Sequence, residues 1–214
     1  MKGLKQSFKK LGRSKSIASV GSGGQGWDGQ EKEALIDRSI KRVAYLESFP
    51  KVIDYMGYEL PGDVINPKVL DNIQDLDVRE SDIFIVSYPQ SGASAVEELV
   101  LKLVDKMLEK QPQGRRQRSA SVSRLEAAHP YGHLRWLNAL KSPRILASNL
   151  PLALMPDSVK TPVCKIIYVL RNPKDQSVSY YYQHRVKGIL SSFDDFISLY
   201  MCGHLLYGDY FSHS

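Results

Sequence analysis

Two short stretches of this 214-residue sequence carry residue types that can grip an anion. The first is Tyr88-Pro-Gln-Ser-Gly92-Ala-Ser-Ala95, a turn of small residues between an apolar run and a helical pattern. Where a strand feeds such a turn and a helix begins, backbone N–H groups converge and the helix dipole favours negative charge. The turn is not a Walker A loop, since it holds a single glycine and no Gly-Lys pair. By itself it is equally a plain strand-to-helix connection. The second stretch is Arg171-Asn-Pro-Lys-Asp175 with Ser179 beyond it. Arg171 follows an apolar run that reads as a central strand, and ligands of open α/β sheets bind at such strand ends. A guanidinium there can hold phosphate oxygens bidentately, and Ser179, about two helical turns on, can add a hydroxyl. The competing reading pairs Arg171 with Asp175 as a structural link and places Tyr180, Tyr181 and Tyr182 in the core.

The elements that must position these residues follow from periodicity. Residues 82–88 (DIFIVSY) form a short apolar run rich in β-formers, which predicts a buried strand. Val96, Leu99, Val100, Leu103, Met107 and Leu108 then recur at helical spacing to about Lys110. Residues 143–148 predict a second strand and 165–170 a third. Pro173 suits the first turn of a helix running to about Lys187. Upstream, Leu35, Ile36, Ile40, Val43 and Leu46 predict one side of a helix over 31–47, followed by turns and short extended pieces over 49–66 and a short helix over 67–77. Residues 111–124 predict a polar, basic loop, in which Arg115-Arg-Gln-Arg-Ser119 could also serve as a basophilic kinase site. Strands alternating with helices predict a parallel sheet.

Composition limits what such a chain does. It is 43% hydrophobic and 24% charged, enough to bury a core. The net charge is +6, but the first thirty residues hold +5 of it. The basic character therefore belongs to a Gly/Ser/Lys-rich tail over 1–30, and a nucleic-acid-binding face is not expected. Leu4, Phe8 and Leu11 beside lysines give that tail a second reading as a membrane-surface arm. No stretch approaches the length of a membrane-spanning helix, and no apolar segment follows the first lysines as in a secretory signal. The cysteines, Cys164 and Cys202, lack metal-site spacing, so no metal and a cytoplasmic setting are expected. The expected organisation is a disordered tail over 1–30 and a domain over 31–214.

Four segments in order resemble the cytosolic sulfotransferase family. Residues 82–100 resemble its 5′-phosphosulfate loop, usually Tyr-Pro-Lys-Ser-Gly-Thr-Thr-Trp. Residues 143–156 (PRILASNLPLALMP) resemble its Lys-Thr-His-Leu-Pro stretch, and residues 164–185 resemble its 3′-phosphate site. Leu206-Tyr-Gly-Asp-Tyr-Phe-Ser-His213 resembles its Tyr-Gly-x-Trp-Phe-x-His stretch. The resemblance implies a P-loop-like parallel α/β sheet flanked by helices. It implies 3′-phosphoadenosine 5′-phosphosulfate (PAPS) as sulfuryl donor and its product PAP as ligand. Gln90, Ser91, Gly92, Ala93, Ser94 and Ala95 would hold the 5′ side, and Arg171 and Ser179 the 3′-phosphate. The acceptor would be a hydroxyl or amine of a phenol, steroid or other small molecule, with no metal required.

The departures from the family pattern fall on the chemistry. The loop Lys, which meets the leaving phosphate, is Gln90 here, and the catalytic base His is Asn149. Gln90 can donate a hydrogen bond but brings no charge; Asn149 can orient a hydroxyl but cannot take its proton. Losing a general base costs about 10²–10⁴ in rate, and losing a positioned donor about 10²–10³. His129 and His133 lie upstream, and nothing in the sequence places either at the acceptor. Impaired transfer is expected, or else a PAP- or PAPS-holding pseudoenzyme that pairs with a full-length paralogue, or a fragment without function. Family members continue past residue 213, so the sheet is expected to be incomplete at its C-terminal side, with apolar surface exposed and the family's dimer-forming segment absent.

Overall fold

The computed structural model describes residues 29–109, 121–127, 132–190 and 192–213. Residues 1–28 of the basic tail, the Arg115–Ser119 stretch and His129 lie outside the described residues. The described residues open with helix α1 (Gly29–Glu47), two residues before the predicted start, followed by a hairpin of β1 (Val52–Tyr55) and β2 (Tyr58–Pro61). Helix α2 (Pro67–Ile73) is capped by the Asn66 side chain, which accepts from the Lys68 N–H at 3.0 Å, and it stops short of the predicted residue 77. Strand β3 (Ile83–Ser87) leads into α3 (Ala93–Glu109). Then come β4 (Val122–Arg124), α4 (His133–Ala139), β5 (Ile145–Ser148), β6 (Lys165–Val169), α5 (Pro173–Val186) and α6 (Phe193–Met201). Asn172 caps α5 by accepting from the Lys174 N–H at 3.0 Å, with Pro173 in the first turn as predicted.

The sheet is parallel, in the order β4-β5-β3-β6. Two predictions fail here. The end of the expected 111–124 loop is strand β4, joined to β5 in register Val122 to Ile145. Its short Val-Ser-Arg run is too polar to announce a strand, and pairing with an already buried neighbour forms it. The strand before Arg171 is not central either: β6 pairs only with β3 and is the edge of the described sheet. Its apolar run is what a buried strand shows, yet Ile166 is 47% exposed and the following Leu170 is 71% exposed.

Alternation along β3 divides the core. Phe84 and Val86 join Leu146, Leu70 and Leu137 on one face, while Ile85 meets Val100, Val104 and Ala147 under α3 on the other. A third, aromatic cluster of Tyr45, Tyr88, Tyr180, Phe196 and Tyr200 ties α1, α5 and α6 to the loop after β3. The predicted stripe of α1 is only partly buried: Leu35, Ile36 and Ile40 are exposed, and Tyr45 carries the contact instead. On α3, Val100 and Val104 are buried while Leu99, Leu103 and Met107 remain exposed.

At the N-terminal edge of the sheet, Arg144 and Asp82 form a fully buried ion pair. The Arg144 guanidinium donates through Nε to Asp82 Oδ1 at 2.8 Å and through Nη1 to the Leu137 carbonyl at 3.0 Å. The pair stands where β3 and β5 begin, and there the Ile83 N–H donates to the Arg144 carbonyl at 2.9 Å.

Candidate functional site

The loop after β3 lies at the C-terminal end of the strand that is central to the described sheet, and it carries two left-handed residues. Gln90 has φ 62°, an uncommon state for a side chain of its size, and Gly92 has φ 92°. A Cβ on Gly92 would meet nothing within 4 Å, so its conformation rather than crowding requires glycine. The Ser91 N–H closes the turn by donating to the Tyr88 carbonyl at 3.2 Å, and the loop then enters the first turn of α3, where helix N–H groups favour an anion. Ser91 is buried, and its Oγ has no partner among the described residues. Ala93, Ser94 and Ala95 form the first turn of α3, with the Ala95 N–H returning to the Gly92 carbonyl at 3.3 Å. The buried Gln176 of α5 braces the loop by donating from Nε2 to the Pro89 carbonyl at 2.7 Å.

Arg171 and Ser179 both converge on Gln90. Arg171 Nη1 donates to the Gln90 carbonyl at 3.2 Å, and Ser179 Oγ donates to Gln90 Oε1 at 3.3 Å. Groups 81 and 89 residues distant in sequence thus meet at one residue. Arg171 forms no ion pair with Asp175 among the described residues. The tyrosine expectation holds in part: Tyr180 and Tyr181 are core, and Tyr182 is exposed.

Beside the loop opens a cavity of about 430 Å³, whose lining includes Phe49, Gln90, Asn149, His184, Lys187 and Tyr207. Asn149 follows β5, and its Nδ2 donates to the Ser87 carbonyl at 2.8 Å and to Ser87 Oγ at 3.1 Å. Its N–H donates to Glu126 Oε1 at 3.0 Å, and His213 Nε2 donates to its carbonyl at 2.9 Å. Burial raises the Glu126 carboxyl above the usual range, opposed by that N–H bond. Burial lowers His213. His184 donates from Nδ1 to the Tyr180 carbonyl at 2.8 Å and accepts from the Tyr45 hydroxyl at 3.1 Å. Burial brings its pKa down to about 4, so the ring is neutral at physiological pH. His133 is not at the cavity: it is buried at the start of α4, its Nε2 2.6 Å from the Leu125 carbonyl.

Sequence reasoning missed Glu126, His184, Tyr45 and the role of the last described segment. That segment holds the site from behind. The Tyr88 hydroxyl donates to the Gly208 carbonyl at 3.1 Å, the Tyr210 hydroxyl to the Arg171 carbonyl, and the Leu152 N–H to the His213 carbonyl at 3.1 Å. These are long-range hydrogen bonds, and no periodicity encodes them. Among the described residues no group of three or more His, Cys, Asp or Glu is placed to hold a metal ion. No described helix is long and apolar enough to cross a membrane.

Comparison with known proteins adds the following. A family model described as "Sulfotransferase domain" matches residues 80–214. Sulfotransferase 1E1 of Bos taurus is 34% identical over 180 residues, covering 78% of this chain and 59% of the relative. Sulfotransferase 4A1 of Mus musculus is 36% identical over 147 residues, covering 67% of this chain and 51% of the relative. The chain thus spans about half to three fifths of the length of these curated relatives. Among solved structures, mouse sulfotransferase SULT7A1 complexed with PAP superposes with a TM-score of 0.60 at 28% identity, over 76% of this chain and 55% of that one. Retinol dehydratase in complex with androsterone and PAP also gives 0.60, at 23% identity over 83% of this chain and 62% of that one, a likeness of fold. With its strand, loop and helix inside the matched span, the chain belongs to the sulfotransferase domain family.

Proposed function

We propose that this chain binds PAPS or PAP across the loop of residues 90–95, with Arg171 and Ser179 on the 3′-phosphate. In this reading the adjoining cavity takes a small-molecule hydroxyl or amine, in a cytoplasmic setting, and sulfuryl transfer is slow. The carrying observation is the convergence of Arg171 and Ser179 on Gln90, next to the buried, unpartnered hydroxyl of Ser91. An orphaned donor at a helix N-terminus fits a bound anion. The complex of mouse sulfotransferase SULT7A1 with PAP supports the same ligand. In transfer, the acceptor oxygen bonds to sulfur as the bond from sulfur to the bridging phosphate oxygen breaks. Negative charge then builds on the leaving phosphate, facing the loop N–H groups. Gln90 meets that charge with a neutral amide. Asn149 leaves the acceptor's proton to water, because an amide does not hold a proton near neutral pH.

Those two neutral amides also favour one second reading, a domain that holds PAP without turnover and pairs with a full-length paralogue. Transfer from PAPS to a phenol separates the two. Slow transfer predicts a measurable rate that Gln90→Lys with Asn149→His raises by about 10²-fold or more. PAP binding with no turnover in either protein selects the second reading. An unchanged, measurable rate in the double variant contradicts the roles assigned to both positions.

A further inference from the structure

Helix α1 sorts its charges between two faces. Its cations reach inward: Arg42 Nη2 donates to Glu59 Oε1 at 2.8 Å, Lys41 pairs with Asp195 of α6 at 2.9 Å, and Arg38 Nη1 donates to Cys202 Sγ at 3.8 Å. At 3.6 residues per turn, Glu33, Ile36, Asp37, Ile40, Ala44 and Glu47 share the opposite face. All six are exposed, Ile36 at 59% and Ile40 at 55%. The described charged side chains of that face are acidic, and Asp37 shares its cation, Lys41, with Asp195. The outer face of α1 is thus an apolar ridge bordered by carboxylates.

The basic segment that precedes α1 carries the complementary pattern. Leu4, Phe8 and Leu11 recur at i, i+4 and i+7, and Lys5, Lys9 and Lys10 stand among them. Residues 12–28 separate Leu11 from α1, and a chain of that length spans up to about 55 Å. Turning back to Ile36 takes only about 10 Å along α1 and about 8–10 Å across to a neighbouring helix axis. A tethered segment meets such a face at an effective concentration of about millimolar order, so a weak contact is enough to fill it.

We propose that residues 4–11 dock as two helical turns on the outer face of α1, with Leu4, Phe8 and Leu11 against Ile36, Ile40 and Ala44 and the lysines beside Glu33, Asp37 and Glu47. The contact takes both apolar stripes out of water and sets unlike charges along their borders. Helix α1 runs directly into Ser48 and Phe49 of the cavity wall, so the docked segment buttresses that wall from outside.

The test is amide hydrogen exchange of the full chain, read by mass spectrometry. It compares the wild type with a tail variant (Leu4→Ser, Phe8→Ser and Leu11→Ser) and a face variant (Ile36→Gln and Ile40→Gln). Ile36 and Ile40 are exposed, so the face variant keeps its fold, which a thermal melt checks. The expected result is exchange over residues 4–11 at least about fivefold slower than over residues 12–20, after correction for intrinsic rates. Either variant abolishes the difference, dilution leaves it unchanged, and about 0.5 M salt shrinks it by screening the charge pairs. Equal exchange over the two segments, protection that survives the face variant, or protection unmoved by salt overturns the inference. Protection seen only with phosphatidylserine vesicles selects a membrane-surface arm, and protection that fades on dilution selects docking onto a second copy; either overturns it.

Discussion

At the residue scale, the two positions where the family pattern has a lysine and a histidine carry neutral amides, as the sequence predicts, beside the charged Arg171. Gln90, Asn149 and His184 all line the cavity, and none is ionised near neutral pH. His184 makes a pH test available. Its pKa in the fold is about 4 against 6.5 ordinarily, because burial disfavours the imidazolium. Below pH 6.5 the unfolded chain takes up a proton that the fold refuses. Stability from this group is therefore lost as pH falls from 6.5 towards 4, on the order of 3 kcal/mol in all. His204 and His213 are lowered as well and act in the same direction. Glu59 and Glu126, raised by burial, act oppositely, since the fold takes up their protons first as pH falls. Comparison with His184→Gln isolates the one group. The wild-type melting temperature should fall faster than the variant's between pH 6.5 and 4; parallel curves would contradict the assignment. The types of Gln90, Arg171 and Ser179 were legible in the sequence because a motif carries them. Glu126 was not, since a lone Glu in a polar stretch gives no sign that its carboxyl will be buried beneath residue 149.

At the element scale, two buried devices set the geometry from opposite ends of the sheet. The Arg144–Asp82 pair locks the starts of β3 and β5, and through them the position at which both strands deliver the loop and Asn149. Arg144→Ala leaves the Asp82 carboxylate buried without its cation. Such losses cost about 3–5 kcal/mol, so chemical denaturation should show a midpoint shift of that size with the slope unchanged. A shift below about 1 kcal/mol would mean that the pair contributes little to holding the strands. At the other end, the segment from Tyr207 to His213 joins the loop, the Arg171 turn and the Asn149 turn through hydrogen bonds. Strand β3 and helices α3 and α5 were legible because their periodicity and caps are local. The edge position of β6 was not, because an apolar run reports burial tendency and not the neighbour that supplies it. Strand β4 was hidden for the same reason: its partner, β5, lies more than twenty residues away.

At the scale of the whole molecule, several large hydrophobic side chains stand at the surface of the described residues. Leu99, Leu103 and Met107 on α3, Ile166 on β6 and Val178 and Val186 on α5 are exposed large hydrophobic side chains. The chain spans about half to three fifths of its curated relatives, so its donor, its acceptor and its partners are proposals about this span. The central claim is that the described residues suffice to recognise a 3′-phosphate. Calorimetric titration of PAP against adenosine 5′-phosphate tests it most directly, because the two ligands differ only in that group. PAP should bind at least about tenfold tighter, through charge-assisted bonds from Arg171, and Arg171→Ala should bring the two ligands level. Equal binding of PAP and adenosine 5′-phosphate by the folded wild-type chain, or PAP affinity untouched by Arg171→Ala, would contradict it.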